Sequence, residues 1–170
     1  MTAPPMPFLP EELHGKPVVL AFLFHSGQPG AGEAALAPFR ALAQPLADML
    51  KPMSYPEIVE PVPEGFRPAN VVRTQFLDRL EDDAVAAVID RLPDATSAMA
   101  VVQVRVLGGA IARVPVDATA FAHRQRKLMV NVVAIDFEPG RQVEHVPWVT
   151  DLAATLRGDQ VAGAYIGFLE

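Results

Sequence analysis

Three spacings of apolar residues recur along the chain, and each predicts a different element. Residues 17–25, PVVLAFLFH, form one continuous apolar run, the pattern of a strand buried on both faces. SGQPGAG (26–32) breaks it. From Gly32 to Leu50, the residues Leu36, Phe39, Ala43, Leu46 and Leu50 recur at steps of three and four, one face of a helix that Pro38 and Pro45 bend or divide. Asn70 to Phe76 reads as a short strand. LEDDAVAAVIDRLP (80–93) then sets acids at a helix start and Val85, Val88, Ile89 and Leu92 on one face. AMAVVQVRV (98–106) is a strand, and Gly108–Gly109 suits a two-residue turn that folds AIARV back as the second arm of a hairpin. A loop, PVDATAFAHRQ, leads to the longest strand, KLMVNVVAIDF, which Pro139–Gly140 ends. VPWVTDLAATLR reads as a helix with Pro147 in its first turn, and a Gly-rich, partly apolar tail, VAGAYIGFLE, follows. Strands outnumber helices, so the expected class is α+β: a mostly antiparallel sheet with helices packed on one face.

Composition narrows the picture. The 170 residues suit a single domain, since domains run to ~100–200 residues. Half the residues are apolar, 51% by composition, which excludes an intrinsically disordered chain. Proline is frequent at 17, and more than half of it falls in residues 1–10 and 52–68. Residues 1–16 are therefore expected to be an extended lead-in and residues 52–68 an extended connector, because proline fixes φ and removes a donor. A net charge of −6 argues against nucleic acid as the main partner. No apolar run approaches the ~18 residues of a membrane span, and the first residues lack the basic start of a secretory signal. The expectation is a soluble, cytoplasmic protein without membrane association.

Most familiar catalytic constellations are missing. There is no cysteine, which removes disulfides, thiolate metal sites and cysteine nucleophiles. The four histidines, His14, His25, His123 and His145, share no metal-ligand spacing, and none of the three serines lies in G-x-S-x-G. Gly27, Gly30 and Gly32 lie between a predicted strand and a predicted helix, but the spacing is wrong for a phosphate loop and Glu33 would repel an anion. Two strands do carry polar residues in apolar surroundings. Gln103 and Arg105 share one face of their strand, opposite Val102, Val104 and Val106, and Asn131 interrupts the longest strand. Such a face is either wet or lines a ligand cavity that needs a few orienting polar groups. His123, Arg124, Arg126 and Lys127 form either a solvated basic turn or a patch that steers an anion.

Taken in order, LGGAIARVPVDATAFAHR (107–124), MVNVVAIDFEP (129–139), WVTDLAATLR (148–157) and GAYIGFLE (163–170) resemble the C-terminal half of the berberine-bridge-enzyme-like FAD-linked oxidases. PFLPEELHGKPVV, GEAALAPFRALAQPLADML and PMSY fit the same course upstream, so the resemblance spans nearly the whole chain. It implies a substrate domain, residues 1–170, whose sheet faces a flavin, while the N-terminal FAD-binding domain lies on another chain or segment. Gln103, Arg105, Asn131 and Tyr165 would then bind substrate. Tyr165 and Gly167 would fall where the family's closing Y-x-N segment nears the cofactor, with glycine replacing the asparagine amide. His123 and Arg124 match the family's His-Arg loop and are read as loop-positioning. The resemblance implies hydride transfer from a small polar substrate to FAD, with the isolated chain inactive. The alternative is a free-standing, non-catalytic α+β module that binds a ligand or forms a homodimer through the exposed sheet face.

Overall fold

A computed structural model describes residues 1–3, 9–59, 64, 68–97, 99–138, 140–161 and 163–168. The parts of the Pro-rich lead-in and connector at 4–8, 60–63 and 65–67 lie outside the described residues. Three strands, β1 (Ala69–Leu77), β2 (Met99–Val106) and β3 (Leu128–Asp136), form one antiparallel sheet in the order β1-β3-β2. Among the described residues four helices accompany it: α1 (Pro29–Arg40), α2 (Asp82–Arg91), the single turn α3 (Ala110–Arg113) and α4 (Gln142–Arg157). The class is α+β, as the spacing predicts. β3 is central, paired along its length on both sides, which accounts for its near-continuous apolar sequence.

Helix α4 lies across β1 and β3, and α2 packs against α4. The core forms between them: Val71, Leu77, Val130, Val132 and Ala134 from the strands meet Ala84, Val149, Leu152, Ala153 and Leu156 from the helices. His145, Val149, Leu152, Ala153 and Leu156 make the buried stripe of α4 at helical spacing. Burying such side chains stabilises the fold by ~1.5–3 kcal/mol each.

Five predicted elements differ from those observed. Residues 17–25 form no strand and are largely exposed, with Val19 at 97% and Phe22 at 72%. Met1–Ala3 bonds to residues 16–18, and beyond Val18 no strand lies alongside among the described residues. Helix α1 stops at Arg40, two residues past Pro38, and does not reach Leu50. AIARV is not a hairpin arm: Gly109 turns into α3, and the neighbour of β2 is β3. α4 starts at Gln142, so Pro147 sits in its interior, where the buried stripe starting at His145 holds the helix together. In α2 the packed face is Ala84, Val88 and Leu92, while Val85 and Ile89 are exposed. Short 3-10 turns at Glu11–Leu13 and Tyr55–Ile58 interrupt the two Pro-rich stretches.

Candidate functional site

Side chains alternate across a strand, so the face opposite α4 is fixed by register. Val72, Val133 and Val101 form one row of it. Thr74, Asn131 and Gln103 form the next, and Phe76, Met129 and Arg105 the third. The structure therefore brings Gln103, Arg105 and Asn131 onto one face, with Gln103 and Asn131 directly opposite each other. Asn131 Nδ2 donates to Gln103 Oε1 at 3.0 Å. Asn131 is only 3% exposed and Thr74 8%, yet neither Asn131 Oδ1 nor Thr74 Oγ1 has a hydrogen-bond partner. A buried unsatisfied polar group costs ~1–3 kcal/mol, so two side by side in one row need a reason.

One end of this face is roofed by aromatic rings. Phe76 is fully buried, and His123 stacks on it with ring centroids 4.0 Å apart and planes at 20°. Phe121 meets both edge-on and also touches Tyr165, which in turn packs against Phe168 at 5.6 Å. Arg105 lies over the Phe168 ring at 4.8 Å, a cation–π contact that pins the tail to β2. Arg124 is buried. It donates to Ile111 O at 3.3 Å and to Thr119 Oγ1, and its guanidinium lies 5.7 Å from the Phe121 ring. These bonds tie residues 111–124 together. Tyr165 also sets the residue two places on: a Cβ on Gly167 would fall 2.8 Å from Cε1 of its ring. An asparagine at that position would have to displace the tyrosine. Tyr165 and Gly167 thus belong to the roof, one row from the Thr74–Asn131–Gln103 stripe.

On the helix side a second polar cluster lies under α4. His145 is fully buried; its Nδ1 meets Thr96 Oγ1 at 2.8 Å and its Nε2 meets Asp136 Oδ2 at 2.9 Å. The Glu138 backbone N–H, and then the His145 ring, hold the Asp136 carboxyl below the usual carboxylate range. The cluster fastens the start of α4 to the end of β3. Sequence spacing separates Asp136 from Asn131 by five residues, which already assigns them to opposite faces; the partnership with His145 is visible only once α4 is placed. Thr74 was equally hidden, since one threonine in a strand carries no signal until its neighbour across the sheet is known.

Among the described residues no group of three or more His, Asp or Glu could hold a metal ion, and no helix is long and apolar enough to cross a membrane.

No family model matches the chain, and no curated protein matches it. Among solved structures it is similar to a glycopeptide hexose oxidase in complex with teicoplanin. The TM-score is 0.66 at 25% identity, over 84% of this chain and 32% of that one. The chain thus has an oxidase-like fold and spans about a third of that protein's length.

Proposed function

We propose that this chain supplies the substrate-side wall of an FAD-dependent oxidoreductase, with the flavin carried by a partner domain or chain. The observation that carries the reading is the buried, unpartnered Oδ1 of Asn131, in a polar stripe across the sheet face that the helices leave free. A ligand that presents a donor to that atom removes its desolvation cost.

The donor set fits the ring side of such a cofactor site and not its phosphate side. Half-buried Val72, Val101 and Val133 form an apolar row beside the amides of Asn131 and Gln103, the mixture that orients a flat or ring-shaped ligand. The FAD phosphates fall to the partner, since the chain's Gly27–Gly32 segment lacks the spacing of a phosphate loop. The redox chemistry, acceptance of a hydride from a substrate C–H bond, belongs to FAD when bound. Asn131 Oδ1 would accept a hydrogen bond from the bound ligand, an N–H of the flavin ring or a substrate hydroxyl or amine. Gln103 holds the Asn131 amide in the orientation that turns Oδ1 away from it, and Arg105, through Phe168, keeps Tyr165 at the edge of the stripe. The substrate is small and polar: an alcohol, an amine or a sugar hydroxyl. On the same reading the isolated chain is inactive.

The chain should quench the fluorescence of added FAD at micromolar levels, and Asn131→Leu should weaken that effect about tenfold, the worth of one buried hydrogen bond. A chain indifferent to FAD sinks the proposal. It would favour the second reading, a non-catalytic module that self-associates, which the exposed apolar residues Val19, Leu20, Phe22 and Phe24 support. A clean monomer at high concentration in light scattering would count against both, since each leaves apolar surface that needs a partner.

A further inference from the structure

The outer edge of β1 borders a groove of about 430 Å3 that belongs neither to the core nor to the polar stripe's aromatic roof. Its walls follow from the strand geometry. Phe76 N–H donates outward, to Gly163 O at 3.0 Å, so alternation of the antiparallel ladder also turns the N–H and C=O of Val72 and Thr74 away from β3. Arg73 folds back to cap the outward carbonyl of Val72 at 2.9 Å. Among the described residues the tail makes no further backbone bond to β1 after Gly163, and the backbone edge of Thr74 faces the groove. The opposite wall is one stripe of α4, Thr150, Ala153, Ala154 and Arg157, at spacings of three and four. Small side chains at its centre leave the volume open.

The groups that converge there are mostly hydrogen-bond donors. Arg73 has no acidic partner, and Arg157 makes no ion pair among the described residues, although the chain carries a net charge of −6. No carboxylate lines the groove. Thr74 gives the wall only its outward backbone, because its side chain lies on the sheet face away from α4, beside Asn131. β1 and α4 run in the same sense, because Gln75 bonds to Ala153 O while Asp78 and Arg79 bond to Gln160. Arg73 therefore lies near the Thr150 end, and Arg157 stands at the other, about 10 Å along the helix at 1.5 Å per residue.

We infer that this groove binds a small, elongated dianion, with one anionic group on Arg73 and the other on Arg157, the outward backbone N–H of Thr74 serving the ligand between them. A guanidinium presents a planar donor fork that matches a carboxylate, and a pocket of this size suits a small molecule. A short dicarboxylate is the simplest such ligand. The inference stands apart from the flavin reading and needs no cofactor.

Succinate is the probe, added to the full chain and followed by backbone amide NMR shifts. The expected result is saturable movement of Thr74, Thr150, Ala153 and Gly163 at millimolar succinate. Acetate and inorganic phosphate, which engage one arginine at a time, should bind about tenfold more weakly. Arg73→Gln and Arg157→Gln should each weaken succinate about tenfold, and both exposed ends of these side chains can be replaced without touching the core. Ala154→Leu, at an exposed position where the larger side chain fills the middle of the groove, should weaken it about fivefold and serves should an arginine variant fail to fold. No shift with succinate, acetate or phosphate binding as tightly as succinate, or binding unchanged in Ala154→Leu or in the paired arginine variant, each overturns the inference.

Discussion

Replacing Asn131 by leucine separates stability from binding. In the folded chain Asn131 contributes one hydrogen bond to Gln103, worth ~0.5–1.5 kcal/mol, and carries an unpartnered Oδ1 that costs ~1–3 kcal/mol. Leucine is close in volume and lies between Val72–Val133–Val101 and Phe76–Met129–Arg105, rows rich in apolar side chains. Gln103 is half-buried, so water can serve its freed amide. The loss is smaller than the relief, and the balance favours the variant by ~0.5–1.5 kcal/mol. At ~2–4 °C per kcal/mol for a chain of this size, the thermal midpoint should rise by about 1–6 °C. Circular dichroism melts of the two proteins, with and without FAD, read this directly. The expected pattern is a more stable variant that FAD no longer stabilises. A midpoint that falls would refute the reasoning, because it would mean Oδ1 is satisfied in the free protein and the stripe is an ordinary buried network.

Phe76→Ala should be the most damaging single change on the open face, because it removes a fully buried ring under His123 and Phe121; a loss of ~3–5 kcal/mol by chemical denaturation is expected, and a loss under ~1 would show the roof to be mobile. Gly167→Asn should push Tyr165 out of contact with Phe168 and Phe121, seen as a change in tyrosine fluorescence anisotropy, whereas an unaltered signal would mean the turn absorbs the side chain. Asp136 has its folded value held below its unfolded one of ~3.9, so its stabilisation is complete above that pH and disappears as pH falls through the folded value. Asp136→Asn should therefore lower stability at neutral pH and flatten the acid loss below about pH 4; an acid limb identical to wild type would assign that loss to other carboxylates.

The sheet and its class were legible in the chain because β1, β2, β3 and α4 have strong periodic patterns that their packing rewards. Polar residues at Gln103, Arg105 and Asn131 stood out for the same reason: alternation makes a polar side chain in an apolar strand conspicuous, and register then brings the three to one face. What could not be read was pairing. PVVLAFLFH has the composition of a buried strand, but a strand exists only where a neighbour accepts its backbone bonds, and beyond Val18 none does among the described residues. AIARV followed a good turn signal, yet β3 takes the place beside β2 through eight matched pairs, which a five-residue arm could not rival. The helix face of α2 was offset because Leu80, Ala84 and Val88 pack into the core and Leu92 is buried, while Val85 and Ile89 are exposed. Thr74, the Asp136–His145–Thr96 cluster and the arginine groove all join residues distant in sequence, and single-residue chemistry does not announce such meetings.

The central claim is that the helix-free sheet face is the wall of a flavin site. Its most direct test is to follow the side-chain amide signals of Asn131 and Gln103 by NMR during an FAD titration. The account predicts that these two move first and together, while His145 and the rest of the α4 side stay in place. Movement confined to the helix side, or FAD binding that leaves both amides unchanged, would contradict it.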